Sequence, residues 1–449
     1  MSGPAGPLPA REVLRLAAPA LPVLAAEPLY LLVDTAVVGR LGAVPLAGLA
    51  VAAVLFAQVT TQLTFLSYGT TARAARLHGA GRRADAVAEG VQATWLALAA
   101  GLLVVVVGQA VAGPTTRALG AVPEIAAGAE AWLRVALLGA PLVLVTLAGN
   151  GWMRGVQDTV RPLYFVLAGN GLSALACAPL VHGLGSWTGV GLVGSAVANV
   201  AGQLVGAALF LGALIRERRR LGVALRPHAT VLRAQLGLAR DLLARSLAFQ
   251  ACFLSAAVGA PNRVATAAAA HQIVLQLWAF QALVLDAVAI AAQSLVGAAL
   301  GAPDDAAGAR ARAVARQVTW YGLWLGLLFG VVFAALAGVL PPVFTPDSAV
   351  LAVVPVAWWF FVALQPIAGV VFAVDGVLLG AGDAAYLRTT TLLAAVVGFL
   401  PLIWASLLFG WGLAGIWTGL AMFMLIRLLA VLTRLRSGRW AVAGAVRGG

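Results

Sequence analysis

Long apolar stretches, each closed by a short polar break rich in glycine and arginine, run the length of this chain. Twelve are long enough for a helix, near 13–39, 44–76, 86–112, 122–150, 162–183, 188–215, 232–259, 264–300, 313–340, 348–378, 387–409 and 411–433. The runs are continuous and do not alternate apolar with polar, so they predict helices and not a barrel. A bilayer crossing takes roughly 20 apolar residues. The stretches at 44–76 and 264–300 exceed that, so they are expected to tilt or project into water.

The polar breaks repeat. Gly79-Ala80-Gly81-Arg82-Arg83-Ala84 has a counterpart in Gly301-Ala302-Pro303-Asp304-Asp305-Ala306. Gly155-Val156-Gln157-Asp158 matches Gly380-Ala381-Gly382-Asp383, and Gly191-Leu192-Val193-Gly194 matches Gly412-Leu413-Ala414-Gly415. The offsets are 222, 225 and 221, in order along the chain. Glycine-rich sequence gives chance matches, so the order and near-constant spacing carry the argument. Composition then sets the solvent. Hydrophobic residues make up 62% and charged residues 10% of the 449, against roughly 25% charged in a soluble domain. The expected fold is an all-α integral membrane protein of twelve transmembrane helices in two pseudo-symmetric six-helix lobes, residues 1–220 and 221–449. Duplicated bundles of this kind rock about a site between them.

The net charge of +13 would suit nucleic acid, but its placement argues for topology. All 29 basic residues are arginine. They gather in alternate breaks: Arg73, Arg76, Arg82 and Arg83; Arg154 and Arg161; Arg216, Arg218, Arg219 and Arg220; Arg310, Arg312 and Arg316; then Arg434, Arg436 and Arg439. The positive-inside rule puts these breaks and both termini in the cytoplasm, with the plasma membrane as the expected location. The stretch from Arg216 to about Arg233, interrupted by Pro227, reads as a linker between lobes. Arg11 and Arg15 ahead of an apolar run resemble a signal peptide, but hydrophobicity continues to Val38, so the run reads as an uncleaved span. Cys177 and Cys252 lie in apolar spans and read as packing residues, with no disulfide or metal site. No phosphate-binding glycine loop appears, so ATP and other cofactors are not expected, nor is enzyme activity.

Acids inside the spans are the informative chemistry: Glu27 and Asp34 on the first, Asp286 on the eighth and Asp375 on the tenth. A central aspartate costs about 2.5–3.5 kcal/mol to insert, and few arginines lie deep enough to neutralise these four. Such an acid holds a proton, binds a cation or faces a wet cavity, or else bonds into a polar packing patch. Glu27 and Asp34 are two helical turns apart and share a face, with Tyr30 between them. The repeat sets Leu254, Ser255 or Ala256 opposite Asp34, which assigns the acid a task in one half only.

Val33-Asp34-Thr35-Ala36-Val37-Val38-Gly39-Arg40-Leu41-Gly42 resembles the first-helix signature of the multidrug and toxic compound extrusion family. Ala269-Ala270-His271-Gln272-Ile273, Leu285-Asp286-Ala287-Val288-Ala289-Ile290-Ala291-Ala292-Gln293 and Val374-Asp375-Gly376-Val377-Leu378-Leu379-Gly380-Ala381-Gly382-Asp383 resemble its DNA-damage-inducible protein F branch. The resemblance implies an antiporter that exports amphipathic, often cationic compounds in exchange for protons or sodium ions, with Asp34 as the cation-responsive acid. Many relatives carry an Asn-x-x-x-Asp pair on the fifth helix. This chain has Asn170 but Cys177-Ala178-Pro179 where the acid is expected, and Asn199 on the sixth helix where relatives have threonine. The seventh helix has Gln250 and no glutamate, which leaves Asp375 to stand alone in that half. Asp34 then keeps two amides as neighbours, which favours protons over sodium.

Pro19, Pro22 and Pro28 interrupt the first span, and a bend at Pro19 or Pro28 is a candidate hinge; a static kink is the plainer alternative. Gln58, Gln62 and Tyr68, with Tyr30, Phe56 and Trp278, are candidates for a substrate-accepting surface, although membrane aromatics are more often packing residues. A flippase of lipid-linked sugars with the same two-lobed fold is the alternative function, and it calls for arginines inside the cavity. A membrane enzyme or scaffold would need a catalytic cluster or a large extramembrane domain. The expected partners are small amphipathic molecules, protons or sodium, and the bilayer; nucleic acid is excluded, and the expected state is a monomer.

Overall fold

The computed structural model describes residues 10–120, 122–259 and 265–445. It is helical nearly throughout: α1 (Ala10–Gly39), α2 (Ala43–Gln62), α3 (Phe65–Gly79), α4 (Arg83–Leu119), α5 (Pro123–Leu138), α6 (Ala140–Gly155), α7 (Val160–His182) and α8 (Leu192–Leu221) come first. Then follow α9 (Ala229–Gly259), α10 (Ala265–Gly301), α11 (Ala307–Ala335), the short α12 (Leu340–Phe344), α13 (Ser348–Gly380), α14 (Ala384–Leu393), a π-helical turn (Ala394–Phe399), α15 (Leu400–Phe409) and α16 (Gly412–Ser437). Among the described residues, extended pairing is limited to an isolated bridge between Leu184 and Trp187.

Among the described residues, ten stretches are long and apolar enough to cross a membrane, counting α2 with α3 and α14 with α15 as single stretches. The pair α5 and α6, bent by 45°, makes an eleventh. The bend falls at Gly139, where Pro141 at the start of α6 lacks a backbone donor. With α9, 31 residues long, the architecture agrees with the twelve-helix all-α membrane fold that the hydropathy pattern predicts.

Two compact units divide the chain: Ala18–Ala239, and the residues from Arg240 onward together with the start of α1 up to Ala17. Each unit is closed by glycines at helix contacts. In the first, a Cβ added to Gly151 of α6 would lie 2.5 Å from the Ser67 carbonyl oxygen of α3, and one on Gly169 of α7 would lie 2.8 Å from that of Gly202 on α8. In the second, Gly376 and Gly380 of α13 would bring a Cβ within 2.3 Å and 2.4 Å of the Ala289 and Gln293 carbonyl oxygens of α10. Lipid supplies no hydrophobic drive between helices, so close backbone approach through small residues supplies the packing.

The repeat is also visible in the backbone. Gln157 and Gly382 both adopt left-handed φ, at 63° and 70°. In each turn the next aspartate donates its amide five residues back, Asp158 to Met153 at 2.9 Å and Asp383 to Leu378 at 2.8 Å. Gly191 and Gly412, at φ 61° and 60°, open the following spans.

Two expectations need correction. Arg73 and Arg76 sit on α3 and Arg154 on α6, not in loops, and Arg76 and Arg154 are buried. The stretch expected as a linker is partly helix, because α8 runs through Arg216–Arg220 to Leu221. Its end, from Ala229, is the start of α9, and the short link between is strapped to α4: Gln92 Nε2 donates to the Arg226 carbonyl at 3.0 Å, the His228 amide donates to Gln92 Oε1 at 2.8 Å, and Trp95 Nε1 donates to the Leu225 carbonyl at 2.7 Å.

Candidate functional site

Asp34 lies on α1 with 1% of its surface exposed. The Cys177 thiol of α7 donates to its Oδ1 at 3.3 Å. Ser195 of α8 stands beside the same carboxyl group and accepts a hydrogen bond from Trp132 Nε1 of α5 at 3.0 Å. The other oxygen, Oδ2, is buried without a hydrogen-bond partner. Cys177 belongs to a buried apolar cluster that also holds Val38, Leu49, Phe56, Trp132, Leu133 and Val181, with Phe56 set edge-on to Trp132 at 6.0 Å. One turn earlier on α1, Tyr30 is buried and its hydroxyl lacks a hydrogen-bond partner; Asn199 of α8 is its neighbour.

A thiol is a weak donor, and a buried carboxyl oxygen left unpaired is costly. Protonation of the carboxyl would lower that cost by removing the buried charge. Around Asp34 the donors and acceptors are a thiol and a hydroxyl, with one carboxyl as the charged group among them. A proton satisfies Oδ2 at once.

The second unit holds a different kind of acid site. Asp375 of α13 does not stand alone: Oδ2 accepts from Arg245 of α9 at 2.5 Å and from Arg427 of α16. Both guanidinium groups lie over the Phe249 ring, at 5.4 Å and 4.9 Å from its centroid. The expectation of an isolated Asp375 is therefore corrected, and so is the expectation that few arginines lie deep enough. The physical reason is the enclosure of α13, with 72% of its apolar stretch buried against 22–50% for the other long spans. A carboxylate there needs a charged partner. Two arginines on one carboxylate, drawn from two neighbouring helices, form a brace.

The other sequence candidates are spread out. Glu27, two turns before buried Asp34, has an exposed face, and Tyr30 lies between the two acids with both as electrostatic neighbours. Asn170 donates to the Val166 carbonyl of its own helix at 3.2 Å. Gln58 is exposed, whereas Gln62 is half-buried with Oε1 unpartnered. Trp278 is buried on α10, 6.3 Å from the Phe361 ring, as a packing residue would be. Asp286 on α10 and Gln250 on α9 are half-buried. Pro19, Pro22 and Pro28 all lie inside an unbroken α1, and the division between units cuts that helix at Ala17, two residues before Pro19. Sequence reasoning missed Ser195, Trp132 and Arg427. Of these, Arg427 carried a signal, an arginine in the middle of the last apolar run.

A multi-span helical protein with an acid buried in its first span fits a membrane transporter. The MatE family model matches residues 19–180 and 252–404, and the chain belongs to that family, the multidrug and toxic compound extrusion transporters. Its members are transporters and not enzymes. It is 32% identical over 445 residues to Protein DETOXIFICATION 44, chloroplastic, of Arabidopsis thaliana, covering 96% of this chain and 83% of that one. It is 32% identical over 284 residues to DNA damage-inducible protein F of Escherichia coli, covering 62% and 61%. A crystal structure of a MATE transporter in the bent conformation has the same fold, with a TM-score of 0.85 at 19% identity over 96% of this chain and 95% of that one.

Proposed function

We propose that this transporter is a proton-coupled antiporter, exporting amphipathic or cationic compounds across the plasma membrane by alternating access. In this reading it acts as a monomer with two lobes, residues 1–220 and 221–449, and both termini in the cytoplasm. One observation supports the coupling ion above the rest: Asp34 is buried with Oδ2 unpartnered, beside a thiol and a hydroxyl. One carboxylate suffices to exchange a proton, whereas sodium in a protein site asks for several oxygen ligands. Loading a proton on Oδ2 neutralises the α1 acid and lets its apolar shell close. Releasing it restores a buried charge that favours the open, wetter state. Asn199 and Tyr30 extend this polar track along α1.

The test is export of a fluorescent cation from proteoliposomes with proton and sodium gradients imposed separately. Export driven by a proton gradient without sodium supports the reading; export that runs on sodium alone overturns it. The flippase reading draws on buried Arg427 and half-buried Arg245. Both guanidinium groups are engaged on Asp375, which leaves that reading second.

A further inference from the structure

Away from the acids, α11 and α16 flank a cavity of about 310 Å³ lined by Arg312, Arg316, Trp320, Leu323, Arg436 and Trp440, among others. The three arginines are exposed and make no ion pair or side-chain hydrogen bond within the described residues. Among the described residues, no acidic side chain lines the cavity. Three like charges around one hollow repel each other, and nothing in the described fold offsets that repulsion. Helix geometry arranges them usefully. Arg312, Arg316, Trp320 and Trp324 fall at four-residue intervals on α11, forming one stripe along the helix. Arg312 and Trp320 are eight residues apart, about 12 Å along the axis. The indoles of Trp320 and Trp324 stack at 6.5 Å and are 53% and 62% exposed. Beyond them the exposed surface continues through Leu328 and Val331 into the apolar middle of the span. On the other side, Trp440 is fully buried and fixed by its Nε1 bond to the Leu435 carbonyl at 3.1 Å, so the wall that carries Arg436 is held in place.

Cationic heads, then amphipathic rings, then apolar surface is the order of groups in a phospholipid met from water inward. We propose that this cavity binds the phosphate-bearing headgroup of an anionic phospholipid, with an acyl chain lying along the Trp320–Val331 stripe. The bound lipid neutralises the arginine cluster and links the starts and ends of α11 and α16 to the leaflet that contains it. The shared chemistry is a phosphate anion. The apolar stripe is what selects a lipid over a soluble phosphate.

The experiment uses the purified full-length protein in detergent, with retention of added lipid read by native mass spectrometry. Phosphatidylglycerol is expected to stay bound where phosphatidylcholine is lost, and a large excess of inorganic phosphate is expected not to displace it. Replacing all three arginines, R312Q/R316Q/R436Q, should weaken phosphatidylglycerol binding on the order of a hundredfold, given the typical worth of a basic residue at an anionic surface. The equal-charge control R216Q/R219Q/R220Q should leave binding within about twofold of wild type, because those residues lie outside the cavity. The single variants R312Q and R436Q keep the test valid if the triple variant does not fold; each should lose about fivefold. Equal retention of the two lipids, full displacement by inorganic phosphate, or equal losses in the cavity and control variants would overturn the proposal.

Discussion

The Cys177 thiol faces the Asp34 carboxyl at 3.3 Å, two buried side chains meeting from α7 and α1. A thiol contributes no negative charge at neutral pH and donates weakly. Asp34 is thus the single formal charge of its immediate set, with Ser195 as the second polar neighbour. Whether the site takes a proton or a metal cation turns on that pairing.

Asp34→Asn removes the exchangeable charge and keeps the shape. Export of dye against a gradient should fall to background, while folding stability should stay within about 1 kcal/mol of wild type or rise, because an unpaired buried oxygen is replaced by a neutral amide. Proteoliposome export and thermal unfolding of the same preparation read both quantities. Undiminished export would remove Asp34 from the coupling.

Cys177→Asp places a second carboxylate next to the first. Two like charges at that separation cannot both ionise in an apolar shell unless a cation joins them. The variant should therefore gain a sodium-dependent component of export that wild type lacks. Cys177→Ala should retain proton-driven export and lose about 1 kcal/mol of stability, the worth of one hydrogen bond.

The spans were legible because lipid enforces continuous apolar helices, and the glycine turns repeat in backbone as they do in sequence. Asp34 was legible because an acid in a first apolar run is conspicuous. Its partners were not, because Cys177 and Ser195 look like packing residues until α1, α5, α7 and α8 are assembled. Arg427 was overlooked in favour of the arginine clusters at the helix ends, and hydropathy cannot say which span is most enclosed. That enclosure, on α13, is what makes a charged partner necessary for Asp375.

The Asp375 brace predicts an order of damage. Asp375→Asn leaves two guanidinium groups, one of them fully enclosed, without their counter-charge, and should destabilise by about 3–5 kcal/mol. Arg245→Gln keeps the Arg427 ion pair and should cost about 1–2 kcal/mol. Equal losses in a denaturation series would mean that the two arginines do not share one acid.

The contact between α10 and α13 gives a further check on packing. A Cβ at Gly376 would stand 2.3 Å from the Ala289 carbonyl oxygen, so Gly376→Ala must push two backbones apart. A loss of about 1–3 kcal/mol is expected, as for other overpacked cores. Gly171→Ala, where nothing lies within 4 Å, serves as the matched control and should be neutral or slightly stabilising on α7. Thermal unfolding of the two variants decides it: similar melting temperatures would show that the α10–α13 contact is looser than described.

Proton coupling without a sodium requirement carries the most risk, and Glu27 is its main challenger. Two turns from Asp34 on one helix, it would complete a two-acid cation site if both side chains turned to the same space. The two acids differ in exposure, Asp34 being buried and Glu27 open on one face, with Tyr30 between them. Glu27→Gln should then leave proton-driven export in sodium-free medium within about twofold of wild type, if Asp34 alone carries the exchanged proton. The measurement is initial export rate against an imposed proton gradient, with and without added sodium, for wild type and variant in parallel. If wild type is silent without sodium and recovers when it is added, and Glu27→Gln abolishes that recovery, then Glu27 is a ligand. The exchanged ion would in that case be sodium, held between two carboxylates, and the proton-only reading of Asp34 would be wrong.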